Sequence, residues 1–344
     1  MPVIDLRSDT ITLPTEGMMH AVSVANLGDD VLDEDPTVND LEKKSANLTG
    51  KDASLFVPSG TMANLTSILA HCERGDEVIL GDQSHTFLYE AGGISSLGGI
   101  HSYQLKNQDD GTLDLDNIKD AIRSDNIHFP RTRLICLENT HNRCFGSPLK
   151  LNYLSSVKSI AKENKLKLHV DGARLFNAAV ALEISVKELC EPVDSITFCL
   201  SKGLSAPVGS LVCGESNFIY KVKRLRKTLG GGMRQAGILA AAGIEALDTM
   251  VPQLVLDHTH AKILADGLSK IDGLTCDPEF VSTNIVYFLL ERDNLSGQEF
   301  LSILEKKGVR FFELSPKKYR LVTHGGITEN DIYKTIKIFS KVMS

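Results

Sequence analysis

Between residues 50 and 215 the chain alternates short apolar runs with stretches whose apolar positions recur at helical spacing. The runs ASLFV, EVIL, TRLICL, LKLHV, SITFC and GSLVC predict strands. Strands alternating with helices in this way predict an α/β architecture, a mainly parallel sheet covered by helices on both faces. Sheets of that kind bind ligands beyond the carboxyl ends of their strands. After about residue 250 the pattern changes to a long helix near Val251 to Ile271, followed by an alternating strand from Ser282 to Leu290. A helix around Gln298 to Lys307, short strands near Val309 and Arg320, and a closing helix from Thr328 complete the chain. The change predicts two units: residues 1–250 as an N-terminal arm and large domain, and residues 251–344 as a small α+β domain.

Composition narrows the function. The formal net charge of −7 is spread over both signs with no long basic block, which leaves no electrostatic footprint for nucleic acid. The seven cysteines are scattered, most of them within apolar runs, and no pair has zinc-site spacing, so they read as reduced core residues of a cytoplasmic protein. No cationic leader precedes an apolar stretch and no segment approaches the roughly 18 apolar residues of a membrane span, so no membrane partner is expected. The acidic segment GDDVLDEDPTVNDLE reads as a helix start with Asp35 as N-cap and Pro36 at the first helical position, rather than as a metal site.

Three elements carry chemistry. In SITFCLSKGLSAPVGS an apolar strand ends at Ser201-Lys202, where burial would disfavour the ammonium and make a nucleophilic amine. LKLHVDGAR ends an earlier strand in Asp171, so a carboxylate and an amine meet at one sheet edge. Pyridoxal 5′-phosphate (PLP) catalysis needs that pair, the lysine to form the imine and the anion to keep the pyridine nitrogen protonated. FVPSGTMANLTSILA adds a strand, a turn at Ser59-Gly60-Thr61 and a helix whose first-turn amides and dipole suit a phosphate. His85 follows the strand EVILG and is expected at the same edge, against the cofactor or taking a substrate proton. His128, in a loop, and His141, after another strand, are further candidates, whereas His258 and His260 are expected at the surface of a helix.

These residues, in this order, resemble the L-threonine aldolase family, of the low-specificity type, among fold-type I PLP enzymes. The resemblance runs through IDLRSDTIT, GDDV with EDPTVN, FVPSGTMAN, DQSH with YEAGG, LENTHN, HVDGARLFNAAVA, CLSKGLSAPVGS, KTLGGGMRQAG and RLVTH. It implies a large domain with a seven-stranded type of sheet and aldol cleavage of β-hydroxy-α-amino acids to glycine and an aldehyde. Lys202 is then the imine lysine and Asp171 the pyridine partner, with His85 stacked on the ring and Ser59, Gly60 and Thr61 on the phosphate. The resemblance further implies a homo-oligomer, a tetramer rather than a dimer, with a site shared between subunits. Lys227 and Arg234 match basic residues reaching the phosphate from the neighbouring chain. Ser8, Arg174 and Arg320 match the group holding the α-carboxylate of a small amino-acid substrate, a task that suits guanidinium geometry. For the base the match points to His85 or His128, directly or through water, with Glu90 as a further participant. One departure is that Leu32 and Asp33 replace the aromatic residue and glycine of the family's VYGEDPT, which bears on side-chain selectivity. Transamination, β-elimination and a non-catalytic PLP carrier are the rival readings.

Overall fold

The computed structural model describes residues 3–344. Its largest element is a seven-stranded sheet with the spatial order Ala53–Val57, Ser210–Gly214, Ser195–Cys199, Lys167–Asp171, Arg131–Glu138, Asp76–Gly81 and His101–Leu105. Only Ser210–Gly214 runs antiparallel to its neighbours. The other pairings are parallel, which directs the carboxyl ends of four central strands to one edge. Apolar side chains on one face, among them Phe56, Leu137, Leu168, Phe198 and Leu211, join the main core, while those on the other, such as Leu55, Val212, Val78 and Leu134, pack in two smaller clusters. That two-sided burial is why the strands read as unbroken apolar runs.

Several helices begin where side chains satisfy free backbone donors. Asp35 accepts from the Thr37 and Val38 N–H groups at 3.1 Å each and Pro36 follows it, while Gly50 ends the same helix at a φ of 67°. Ser296 with Glu299 and Thr328 with Asp331 form capping boxes on the helices Gly297–Lys306 and Glu329–Met343.

The C-terminal part builds a four-stranded antiparallel sheet in the order Phe312–Ser315, Lys318–Val322, Ile285–Leu290 and Leu274–Thr275. A second core lies here, centred on Phe288, Phe300, Tyr319 and Phe339. Ile4 and Leu6 belong to it, because the strand Ile4–Asp5 pairs in parallel with Val309–Arg310. The start of the chain is thereby fastened to its last quarter. Among the described residues no single helix is long and apolar enough to cross a membrane, and the pair Gly237–Thr249 and Gln253–Leu268 passes such a test only together, bent by 67°.

Two sequence expectations are corrected. His101–Leu105 is a strand that the apolar pattern missed, since it is a half-exposed edge strand with a polar sequence. His258 and His260 are not surface residues: His260 is buried and His258 is half-buried against Asn177, with burial pulling its pKa down to about 4. Their helix lies between the large domain, where Leu175–Leu182 covers His258, and the strand Ile285–Leu290 and helix Glu329–Met343 of the C-terminal part, so two of its faces are inside.

Candidate active site

Asp171 ends its strand 3% exposed, with Oδ1 accepting from the Ala173 N–H at 3.0 Å and Oδ2 from Asn64 Nδ2 at 2.8 Å. Among the described residues it has no Lys or Arg partner at ion-pair distance, so a buried carboxylate faces the sheet edge without a counter-ion. Gly172 must follow it, because a Cβ there would lie 2.3 Å from the Thr197 carbonyl oxygen on the next strand. That next strand, Ser195–Cys199, leads to Lys202. The Lys202 carbonyl accepts from Thr12 Oγ1 at 2.9 Å and from the Ser205 N–H at 2.8 Å, so the backbone is held while the side chain lines a cavity. Ser59 caps the helix Gly60–His71, and its Oγ accepts from the Met62 N–H at 3.2 Å. A Cβ on Gly60 would lie 2.9 Å from Cys199 Sγ, just before Lys202, so the helix N-terminus and the lysine share one edge.

The cavity, of about 300 Å³, is lined by Ser8, His85, Glu138, Arg174, Lys202 and Arg320 among others. The two arginines differ. Arg174 is buried and donates from Nε and Nη2 to the two Asp9 oxygens at 2.7 Å each. Burial opposes ionisation of Asp9, but the charge and hydrogen bonds of Arg174, with help from Lys202 and Asn284, hold its carboxyl well below the usual range. Arg320 donates from Nη1 to Asn142 Oδ1 at 2.6 Å and from Nη2 to the Arg7 carbonyl at 3.1 Å. Its buried Nε has no partner, and among the described residues no carboxylate pairs with it. Burial, then the Arg174 charge, pull its pKa below the ordinary value, yet a guanidinium remains cationic. The cavity therefore holds a desolvated cation with no anion of its own.

His85 stands at the other wall. Its Nδ1 lies 2.8 Å from Glu90 Oε1, which also accepts from Asn64 Nδ2 at 2.8 Å, and Asn64 Oδ1 accepts from Thr197 Oγ1 at 3.0 Å. Donation from Nδ1 to the carboxylate leaves the lone pair on Nε2. Burial alone would lower the His85 pKa, but the Glu90 hydrogen bond and the charges of Asp171, Glu90 and Glu138 outweigh it and raise it. The Glu90 pKa is itself raised, by burial first and by Asp171 next. Ligand atoms of His85, Glu90 and Asp171 lie within 4.8 Å of one another, close enough for a metal ion. The Asn64 bridge and the His85–Glu90 bond already account for them as a hydrogen-bonded array. If His85 acts as a base it must be neutral, so activity falls as pH drops through its raised pKa. Glu90→Gln should move that acid limb to lower pH, toward the unperturbed value of about 6.5, and a pH–kcat profile of both proteins checks it.

Ser8, His85, Arg174, Lys202 and Arg320 thus meet at one cavity, with Asp171 and Ser59 to Thr61 on the same edge. His128 is not brought there by its own chain: it is exposed in the loop before Arg131–Glu138, at the amino end of that strand, with its N–H donating to Asn126 Oδ1. Lys227 and Arg234 are exposed, Arg234 pairs with Asp29 at 2.9 Å, and neither bonds to Ser59, Gly60 or Thr61. His141 is buried beside Glu138 with both ring nitrogens unpartnered, and it does not line the cavity. Leu32 is exposed and Asp33 pairs with Lys223; neither lines the cavity of its own chain. Sequence reasoning missed Asp9, Asn64, Glu138 and Asn142. Each sits inside or beside a motif already singled out, IDLRSDTIT, FVPSGTMAN and LENTHN, and that adjacency was the available signal.

Comparison with known proteins identifies the family. The family model described as Beta-eliminating lyase matches residues 5–291. Low-specificity L-threonine aldolase 1 of Arabidopsis thaliana is 47% identical over 347 residues, covering 100% of this chain and 97% of that protein. The low specificity L-threonine aldolase of Escherichia coli is 44% identical over 330 residues, 96% of each chain. Among solved structures, the Leishmania major threonine aldolase superposes with a TM-score of 0.83 at 17% identity, covering 99% of this chain and 100% of that one, which speaks for the fold alone. The expected α/β fold of a fold-type I enzyme is met. From the sheet edge, the cavity and these likenesses together, the chain belongs to the beta-eliminating lyase family and, within it, to the low-specificity L-threonine aldolases.

Proposed function

We propose that this chain binds PLP and cleaves L-threonine, L-allo-threonine and related β-hydroxy-α-amino acids to glycine and an aldehyde. The observation that carries the reading is an amine, Lys202, and a carboxylate without a counter-ion, Asp171, at one edge of the large sheet, with a buried guanidinium without an anion, Arg320 of the C-terminal sheet, lining the same cavity as Lys202. These are the unmatched partners that PLP and an amino acid would complete. Lys202 would hold the cofactor covalently and Asp171 would accept its ring N–H. Ser59, Gly60 and Thr61 would hold its phosphate at the helix N-terminus, and His85 would lie against the ring. When bound, PLP supplies the electron sink for the pair released as the Cα–Cβ bond breaks.

The protein's own share is binding and proton handling. Arg320, with Ser8 and Arg174, holds the α-carboxylate and so sets which bond at the α-carbon faces the ring. His85 Nε2 takes the β-hydroxyl proton, and that oxygen becomes the carbonyl of the departing aldehyde. Glu90, behind Nδ1, keeps the required tautomer. Such general-base help is typically worth roughly 10²–10⁴ in rate. His128 could join only from a second copy of the chain.

A homo-oligomer with a shared site, a tetramer in particular, fits the exposure of Lys227 and Arg234, neither of which bonds to its own chain's Ser59, Gly60 or Thr61. The exposed apolar side chains Leu13, Met19, Val24, Leu27 and Leu32 on the N-terminal segment support it too. Seven free, buried cysteines favour a reducing, cytoplasmic setting.

The test is a coupled assay of acetaldehyde released from L-threonine and L-allo-threonine by the purified, PLP-loaded protein. Aldehyde and glycine in equal amounts are expected. Cofactor absorbance with no aldehyde from either substrate would sink the reading, and a keto-acid product would turn it to transamination. Arg320→Lys keeps the charge but loses the planar fork, and should raise KM for L-threonine about tenfold or more with a smaller change in kcat.

A further inference from the structure

Arg7, Ser8, Asp9 and Thr12, near the N-terminus, frame the carboxylate end of the cavity. The Arg7 carbonyl accepts from Arg320, Ser8 lines the cavity, and Asp9 occupies the Nε and Nη2 edge of Arg174. Thr12 Oγ1 lies 2.9 Å from both the Asp9 and the Lys202 carbonyl oxygens. Asn284 Nδ2 steadies Asp9 from the C-terminal side, 3.3 Å from Asp9 Oδ2 and 3.0 Å from the Thr323 carbonyl.

This frame travels with the C-terminal sheet. Leu6 accepts from the Val322 N–H at 2.8 Å, His324 Nε2 lies 2.9 Å from the Asp5 carbonyl, and Ile4–Asp5 pairs with Val309–Arg310. Arg320 belongs to the same sheet, whereas Arg174 and Lys202 follow strands of the large one. The Asp9–Arg174 pair is therefore the buried ionic contact joining the two halves of the carboxylate subsite.

A carboxylate does not attract a carboxylate, so any part Asp9 plays in handling an amino acid is geometric. We propose that Asp9 is a positioning residue: by filling one edge of Arg174 it fixes which N–H groups meet the substrate's carboxylate, and thereby which α-carbon bond is presented for cleavage. The proposal rests on the reading of Arg174 and Arg320 as the carboxylate-holding pair. Its consequence is unusual for an ion pair near a ligand. Removing the Asp9 charge leaves carboxylate affinity intact or stronger, while misorientation of about 1 Å costs about a hundredfold in turnover.

The experiment compares wild-type, Asp9→Asn and Arg320→Lys holoenzymes. Glycine and ethanolamine, an amine of similar basicity without the carboxylate, are titrated against the cofactor's visible absorbance, and kcat is measured with L-threonine. For Asp9→Asn the expected result is kcat lowered at least about tenfold, glycine bound as tightly as by wild type or more tightly, and ethanolamine binding unchanged. Unchanged kcat, weakened glycine binding, or equal losses for both amines would overturn the positioning role. Arg320→Lys separates the two ideas: it should weaken glycine and spare ethanolamine, and if it affects both alike the carboxylate reading itself fails. Should Asp9→Asn not accumulate as folded holoenzyme, Asn284→Ala, which loosens Asp9 and leaves the ion pair, should show the same pattern at smaller size. Loss of both amines together there would equally overturn the proposal.

Discussion

Lys202→Ala should lower aldehyde release from L-threonine by at least about three orders of magnitude and abolish the visible absorbance of the covalently held cofactor. The fold should survive, because the neighbouring structure uses the Lys202 carbonyl, held by Thr12 and Ser205, and not the side chain. The Lys202 side chain lines the cavity and its Nζ has no hydrogen-bond partner among the described residues, so its loss orphans nothing. Lys51 offers a contrast. Burial lowers its pKa, but its Nζ is spent on the Cys190 and Val193 carbonyls, before the start of the strand Ala53–Val57 and far along the sheet from the carboxyl edge. Desolvation makes an amine reactive only where a reactant can reach it. The measurement is the coupled assay alongside absorbance and thermal melting of wild type and variant. Turnover within tenfold of wild type would move the covalent role away from Lys202.

Asp171→Asn should cost about 10²–10³ in kcat, the range found when one preorganised electrostatic partner of developing charge is removed. The substitution is nearly isosteric. The Asn side-chain oxygen still accepts from the Ala173 N–H, so the strand end keeps its shape. What disappears is the buried negative charge, which has no competing Lys or Arg partner among the described residues and so is free for a protonated ring nitrogen. Asn64 must then face a neutral partner, and its bond to Glu90 should tighten, moving the His85 array slightly. Steady-state kinetics with cofactor saturation curves check the prediction. A drop of less than tenfold in kcat, with cofactor still bound, would remove Asp171 from the role of ring-nitrogen partner.

Much of the large sheet was legible before any coordinates. Six apolar runs, each buried on both faces, correspond to six of its seven strands, and Asp35, Ser59 and Thr328 cap helices as their spacing implies. Strand identity and helix starts are carried by residues adjacent in sequence, through side-chain period and local donor–acceptor pairing, so a linear reading reaches them. His101–Leu105 escaped because an edge strand need not be apolar.

The candidate site divides the same way. Lys202, Asp171 and His85 follow strands directly, so their arrival at one edge is a consequence of parallel topology that the sequence by itself determined. Which arginine is free and which is occupied was decided only by the tertiary structure. Asp9 and Arg174 are 165 positions apart, Arg320 and Asn142 178 apart, and Asn64 and Asp171 107 apart. No periodicity links such residues. Their pairing depends on how the N-terminal strand joins the C-terminal sheet and how that sheet closes over the large one. Burial then turns those contacts into fixed ion pairs and tautomers, since a charge out of water must find a partner where the fold sets it down.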